Sequence, residues 1–241
     1  RDKQWSLEWR AWAAHLLGDA KAASEMYSKV EQMQRDSDSS KQYLYSLDGI
    51  HHADHLRRTS PSTALRQAQD GSSGQIDYAR RVTEANLAIL TRLRAAFQIS
   101  QCHRVLGDLD AQEGNHPDAR EHYDQAVSIA RGISHRKSLI EALLGRGRWA
   151  AKGAFQALKT SEVFAKHSEP SRGAETSEVS RAFHDLDEAL GYAAAGGYRI
   201  YEADIRVALA WAHLAAGDNA KAKAEARRAL QLSGEMGYHW G

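Results

Sequence analysis

A recurring pattern of small and aromatic residues constrains the fold of this chain more than any other feature. Its clearest copy is the stretch 106–130, LGDLDAQEGNHPDAREHYDQAVSIA. Gly114 ends one helical run, and a proline and an acid follow where the first turn of a helix accepts them. Ala119 and Tyr123 lie four residues apart, which places them on one face of a second helix. The stretch therefore predicts a helical hairpin in which Tyr123 fills the gap beside Gly107.

Two other stretches, 9–30 and 209–232, carry the same pattern, and weaker copies lie between them. The turn glycine of the clearest copy corresponds to Gly18 in the first copy and to Gly217 in the last. The equivalent second-helix positions are Ala119, Tyr123 and Ala126 in the middle copy, Ala23, Tyr27 and Val30 in the first, and Ala222, Ala226 and Ala229 in the last. Because one hairpin cannot bury its apolar face alone, hairpins of this kind stack on neighbours that resemble them.

We predict an all-α fold, a right-handed α-solenoid of about five helical hairpins with repeats of roughly 40 residues. Helix formers dominate the chain, and no alternating run of β-branched residues is long enough for a sheet. The expected repeats form a single domain over 1–241 and span 2–35, 40–95, 96–133, 135–196 and 199–236.

The fourth expected repeat contains an insertion at about 154–178. Its first part, residues 154–166, could extend the preceding helix, and the pattern alone does not decide this. Residues 167–178 have no apolar period, so we expect that segment to be mobile or partly disordered. The chain starts without a methionine and stops just after a predicted helix, and we expect it to be a fragment of a longer polypeptide.

Charge and cysteine content restrict the partners and the compartment. Lys plus Arg number 32 and Asp plus Glu number 31, so the charge balance gives no reason to expect nucleic acid or an acidic membrane as a partner. The single cysteine excludes a disulfide within the chain and fits a reducing cytoplasm. No apolar run approaches the roughly 20 residues of a membrane span. We therefore expect a cytoplasmic protein.

The sequence offers few candidates for catalysis. His51 and His55 are four residues apart, a spacing that suits two metal ligands, but further ligands would have to come from elsewhere and a structural role is the favoured interpretation. Cys102 and His103 are adjacent and would point in different directions on a helix. We expect no catalytic residue, no metal and no cofactor.

The order Leu-Gly, Gly, Ala, Tyr, Ala in residues 106–126 resembles the tetratricopeptide repeat (TPR). The longer segments LYSLDGIHHADHL, ARRVTEANLAIL and LDEALGYAAAGGYRIYEADIRVALAWAHLAAGD are similar to the C-terminal repeat arrays of large bacterial signal-transduction NTPases of the NACHT and related (STAND) type. This resemblance implies a sensing and autoinhibitory array, with the NTPase domain upstream in the same polypeptide. No G-x-x-x-x-G-K-[ST] loop occurs in this chain, so the chain itself is not expected to bind ATP.

In such an array the first helix of each hairpin lines a concave groove that binds a protein or peptide. Carrying those groove positions over to this chain gives the expected partner-binding residues Gln101, Arg104, Asp108, Arg146, Trp149, Asp204 and Trp211. Trp and Arg are frequent anchors of protein interfaces, although burial between hairpins is an equally good interpretation of the two tryptophans. Two alternatives to a sensor stay open: a constitutive scaffold or adaptor, and the TPR body of a peptide-sensing transcription regulator.

Overall fold

The computed structural model describes residues 2–60, 73–164 and 172–240, and within these ranges it contains ten helices and no strand. They are α1 (Asp2–Leu16), α2 (Ala20–Ser37), α3 (Leu47–Thr59), α4 (Ser73–Arg92), α5 (Ala96–Glu113), α6 (His116–Gly132), α7 (Arg136–Phe164), α8 (Arg172–Gly196), α9 (Arg199–Ala215) and α10 (Asn219–Met236). The prediction of an all-α fold built from helical hairpins is confirmed.

The helices form two compact units, Arg1–Ile133 and Ser134–Gly241. Unit 1 contains α1 to α6, and unit 2 contains α7 to α10. Each of the five expected repeat segments contains two of the described helices. The continuity of the two units in one array, its handedness and the repeat limits stay predictions.

The three clearest hairpins turn in the same way. Gly18, Gly114 and Gly217 have φ angles of 83°, 83° and 77°, a left-handed conformation that favours glycine. In each turn the N–H of the next residue donates to a carbonyl five residues earlier, from Asp19 to Ala14, from Asn115 to Asp110 and from Asp218 to His213, at 2.8–2.9 Å. This pattern ends the first helix and sets the direction of the second.

Small residues allow the two helices of a hairpin to pack closely. A Cβ placed on Gly107 of α5 would lie 3.0 Å from the Tyr123 ring of α6, so the ring occupies the space that a larger residue would need. The predicted second-helix contacts Ala119 and Ala126 are fully buried. Ala23, Tyr27, Val30, Ala222 and Ala229 of the other two hairpins are buried as well. Ala226, the predicted equivalent of Tyr123 in the last hairpin, is exposed, so that contact is not formed.

The helices of the fourth expected repeat are longer than those of the others. Helix α7 continues through residues 154–164, and α8 begins at Arg172, so the described parts of the expected insertion are helical. Residues 154–164 contain neither glycine nor proline, which explains why the helix does not stop at 154. The part of the expected mobile segment that spans 167–171 lies outside the described residues.

Candidate partner-binding surfaces

The groove positions of the third repeat bind one another on α5. Arg104 donates from Nη1 to the Asp108 carboxylate at 3.0 Å and from Nε to the Gln101 amide oxygen at 3.3 Å. The Tyr123 hydroxyl donates to the other Asp108 oxygen at 2.8 Å. Gln101 and Asp108 are only 4% and 5% exposed, which leaves them little surface to offer to a partner. Their role in partner binding stays a prediction, and their visible role is to hold the hairpin together.

A second helix brings more charge to the same place. We define the arginine–aspartate cluster as Asp54, Arg57 and Arg58 of α3 with Arg104 and Asp108 of α5. Asp54 lies 2.7 Å from Arg57, 3.2 Å from Arg58 and 3.7 Å from Arg104, and Arg57 lies 3.4 Å from Asp108. Burial alone would raise the pKa of Asp54, but Arg58, Arg57 and Arg104 together hold that pKa well below its usual range. The ion pairs around Asp54 and Asp108 therefore join α3 to α5.

The histidines that resemble metal ligands are structural parts of unit 1. His55 Nδ1 lies 3.0 Å from His15 Nδ1, and His55 Nε2 lies 2.9 Å from the Ser24 hydroxyl. Burial lowers the pKa of His55 to about 4 and that of His15 to about 3, so both rings are neutral at pH 7. His51 points elsewhere and stacks on Trp12, with the ring centroids 4.3 Å apart. Among the described residues there is no group of three or more side chains that could hold a metal ion.

Helix α1 carries an aromatic stripe next to these histidines. Trp5 and Trp9 are 63% and 45% exposed, and their ring centroids are 6.2 Å apart. Trp9 also meets the edge of the His51 ring at 5.9 Å. Trp12 lies six residues before Gly18, the position that Asp108 has before Gly114. The stripe is therefore on the same side of its hairpin as the predicted groove residues of α5.

Two predicted residues of unit 2 are held by internal partners. Arg146 of α7 binds Asp185 of α8 through two parallel hydrogen bonds of 2.7 and 2.8 Å, and Asp185 is fully buried. The Asp204 carboxylate of α9 accepts from the Tyr238 hydroxyl at 2.9 and 3.0 Å. Asp204 is nearly buried, so these two residues connect neighbouring segments of unit 2.

Trp211 belongs to a more accessible arrangement, which we call the aromatic–lysine face: Lys152, Phe155 and Lys159 of α7 with Trp211 of α9. The Phe155 and Trp211 rings meet edge to face, with centroids 5.2 Å apart. Lys152 Nζ lies 5.8 Å from the Trp211 ring centre, and Lys159 Nζ lies 5.7 Å from that of Phe155, both within the range of cation–π attraction. Both lysines are exposed, and both rings are half-buried. The predicted Trp149 is half-buried on the same helix.

The sequence does contain a signal for this face. Lys152, Phe155 and Lys159 are spaced by three and four residues, which places them on one side of a helix. The spacing is informative only if α7 continues past residue 154, which the sequence pattern leaves open. The signal for the arginine–aspartate cluster is weaker, because nothing local indicates that Asp54 faces residue 108.

Comparison with known families agrees with the hairpin geometry. Residues 4–27, 100–125 and 203–228 match the family called tetratricopeptide repeat. These three stretches are similar to tetratricopeptide repeats, which supports a repeat array. The three matches coincide with the three hairpins that share the glycine turn. Tetratricopeptide repeats generally bind proteins or peptides and are generally non-catalytic.

Two further findings bear on function. No curated protein matches the chain. In the part of the chain that the structure describes, no helix is long and apolar enough to cross a membrane.

The cysteine has no features of a nucleophile. Cys102 is fully buried, and burial raises the pKa of its thiol to about 12. A thiol of this kind is not ionised near neutral pH, so it cannot attack a substrate as a thiolate.

Proposed function

We propose that the chain is a non-catalytic protein-recognition module and that it forms the ligand-sensing, autoinhibitory repeat region of a bacterial signalling NTPase. The aromatic–lysine face is the observation that supports recognition most strongly. It combines half-buried rings, which supply apolar contact area, with exposed cations, and it lies on the first helices of two successive hairpins. Aromatic residues are enriched at protein interfaces and dominate their binding energy.

The position of this face suggests how a partner could act on the fold. Phe155 belongs to α7 and Trp211 to α9, so a partner that touches both rings bridges two hairpins. Such a partner binds best when these helices have one particular separation, and it therefore favours that arrangement over others. In a repeat protein, each interface between neighbours contributes to the position of the ends. In the proposed mechanism, partner binding changes how the repeats dock on the NTPase domain and releases it.

The sensor role is tested with the full polypeptide that contains this chain. The coding sequence before Arg1 is expected to include a phosphate-binding loop of the form G-x-x-x-x-G-K-[ST]. Removal of residues 1–241 is expected to raise the rate of nucleotide hydrolysis, because the repeats are proposed to inhibit it.

Two outcomes would overturn the sensor role. One is a polypeptide without a nucleotide-binding domain, and the other is a hydrolysis rate that does not change when the repeats are removed. In the second case, a partner bound equally in all nucleotide states would indicate a scaffold.

A further inference from the structure

A second surface feature, a basic pocket in unit 1, is lined by residues from the end of α2, the loop that follows it, and α4. Its volume is about 540 Å³. Ligand pockets typically measure roughly 300–1,000 Å³, so a small organic group fits. We define the basic pocket by the side chains of Arg35, Ser39, Lys41, Tyr43, Tyr78 and Arg81.

Three separate segments each bring one cation to this pocket. Arg35 belongs to the last turn of α2, Lys41 to the loop and Arg81 to α4. Among the described residues, no acidic side chain lines the pocket. The concentration of positive charge around one cavity favours an anionic ligand.

Internal hydrogen bonds hold the loop of the pocket in place. The Asp38 carboxylate accepts from the backbone N–H of Ser40 at 3.1 Å and from its hydroxyl at 2.6 Å. The Lys41 N–H donates to the Asp38 carbonyl at 3.1 Å, and the Gln34 amide donates to the Tyr43 carbonyl. A loop that is already ordered loses little conformational entropy when a ligand binds.

The two tyrosines position the arginine of α4. The Tyr78 hydroxyl donates to Glu31 at 2.7 Å, and the Tyr43 and Tyr78 rings meet edge to face with centroids 5.7 Å apart. The Arg81 guanidinium carbon lies 5.8 Å from the centre of the Tyr78 ring, within the range of cation–π attraction. Arg81 is exposed, so its N–H groups remain accessible to a ligand.

The acids of α2 and the loop pair only weakly with the cations of the pocket. Glu31 lies 3.8 Å from Arg35 and also accepts the Tyr78 hydroxyl. Asp38 lies 3.5 Å from Lys41. The Arg35 and Lys41 side chains are 45% and 56% exposed, and exposed pairs of this kind contribute about 0–1 kcal/mol. A ligand with a larger negative charge can therefore compete for both cations.

The remaining acids nearby leave the third cation without a carboxylate. Asp77 and Glu84 lie four residues before and three residues after Arg81 on α4, and both are exposed. Within the described ranges, neither of them forms an ion pair with Arg81. Asp36 of α2 accepts from the Gln32 amide at 2.7 Å.

A phosphate monoester matches these donors better than a carboxylate does. It carries a charge of about −1.5 to −2 near pH 7 and has three strong acceptor oxygens. Arginine binds phosphate through two parallel N–H bonds, and lysine binds it as a point charge. A single carboxylate has half the charge and too few acceptors for three cations from three directions.

We infer that the basic pocket binds a phosphate monoester, whose oxygens accept from Arg81, Lys41 and Arg35. The monoester belongs either to a phosphorylated side chain of a protein or to a free nucleotide, which share this chemistry. The inference goes beyond the proposed function, because the aromatic–lysine face consists of residues of α7 and α9.

The test uses the intact chain and three synthetic peptides that differ at one central residue, which is phosphoserine, serine or glutamate. Binding is measured by isothermal titration calorimetry at low salt, where exposed charges contribute most. The phosphoserine peptide is expected to bind, and the other two are expected to bind at least about tenfold more weakly. Adenosine monophosphate is titrated in parallel. Tighter binding of the phosphoserine peptide identifies a phosphorylated protein as the source, and tighter binding of the nucleotide identifies a free nucleotide.

Two arginines of the same helix provide a matched pair of variants. Arg81→Gln is expected to weaken binding of the phosphate monoester at least about tenfold. Arg92→Gln removes the same charge from an exposed arginine of α4 outside the pocket and is expected to leave the affinity unchanged. Because both arginines are exposed, both variants are expected to keep the helical circular dichroism spectrum of the wild type. Lys41→Gln, in the loop, is expected to weaken binding as well.

Four results would overturn the inference. They are no binding of either phosphate monoester, equal binding of the phosphoserine and serine peptides, equal binding of the phosphoserine and glutamate peptides, and equal losses in Arg81→Gln and Arg92→Gln. None of them affects the proposed function, because its test does not depend on the residues of the basic pocket.

Discussion

Two glycines of α7 provide a sharp test of how this helix packs. A Cβ on Gly147 would lie 2.7 Å from Leu186 Cγ, 2.9 Å from Leu186 Cδ2 and 3.3 Å from Asp185 Cβ. A Cβ on Gly153 would meet nothing within 4 Å. Both glycines lie inside the helix, so replacement by alanine gains about 1 kcal/mol of helix propensity at either position.

The two substitutions are therefore expected to differ by their packing alone. Overpacking of a tight interface destabilises by about 1–3 kcal/mol. Gly153→Ala is expected to raise the free energy of unfolding by about 1 kcal/mol. The free energy of unfolding of Gly147→Ala is expected to be about 1–3 kcal/mol lower than that of Gly153→Ala. Urea unfolding followed by circular dichroism at 222 nm measures both free energies of unfolding.

A second variant checks that Leu186 is the residue in contact with Gly147. Leu186 is fully buried, so Leu186→Ala alone is expected to destabilise by about 2–5 kcal/mol. Combined with Gly147→Ala, it is expected to lose less than the sum of the two single effects, because the new methyl group occupies the vacated space. Equal stabilisation by Gly147→Ala and Gly153→Ala, or strict additivity with Leu186→Ala, would refute the packing of α7 on α8.

Four further predictions concern single residues. Arg94 has a φ of 55° at a turn like that of Gly114, so Arg94→Gly is expected to raise the free energy of unfolding by about 1 kcal/mol, and a decrease would contradict the turn geometry. Arg146→Ala leaves the buried Asp185 carboxylate without its guanidinium and is expected to destabilise by about 3–5 kcal/mol, measured by urea unfolding; an effect below about 1 kcal/mol would argue against the pair. The pKa of His55 falls from 6.5 to about 4 on folding, so the unfolded chain takes up the proton first as the pH decreases. The free energy of unfolding is therefore expected to decrease by on the order of 3 kcal/mol between pH 6.5 and pH 4. His55→Gln is expected to show a shallower pH dependence. The Cys102 thiol is expected to react with a thiol reagent at pH 8 only after denaturant is added, and rapid labelling of the folded chain would show that it is not buried.

Much of the fold could be predicted from the sequence because the determining residues act locally. Glycine at position 114 fixes a left-handed turn through its own backbone freedom, and the spacing of Ala119 and Tyr123 fixes the buried face of α6. The same reasoning predicts a turn at Gly18 and at Gly217, and both glycines have the left-handed conformation in the structure. These features need no knowledge of distant residues.

The candidate sites were harder to predict because they depend on which helices meet. The place of Asp108 in the repeat pattern indicates that it lies on the groove side of α5. Its burial, however, results from Tyr123 and from Arg57 of a different hairpin. The burial of Asp185 beside Arg146 likewise requires the register of α7 on α8, which the sequence does not specify. Phe155 was missed because the sequence pattern left open whether helix α7 continues past residue 154.

The most direct test of the account is partner capture by the intact chain. Wild type, Trp211→Ala, Lys152→Glu and Leu230→Ala are immobilised, and retained proteins from the source cells are quantified by mass spectrometry. Leu230 is 70% exposed on α10 and serves as the control for an exposed residue outside the aromatic–lysine face. The account predicts at least one protein that wild type and Leu230→Ala retain equally and that both variants of the face lose. Retention that is indifferent to Trp211 and Lys152 would contradict it.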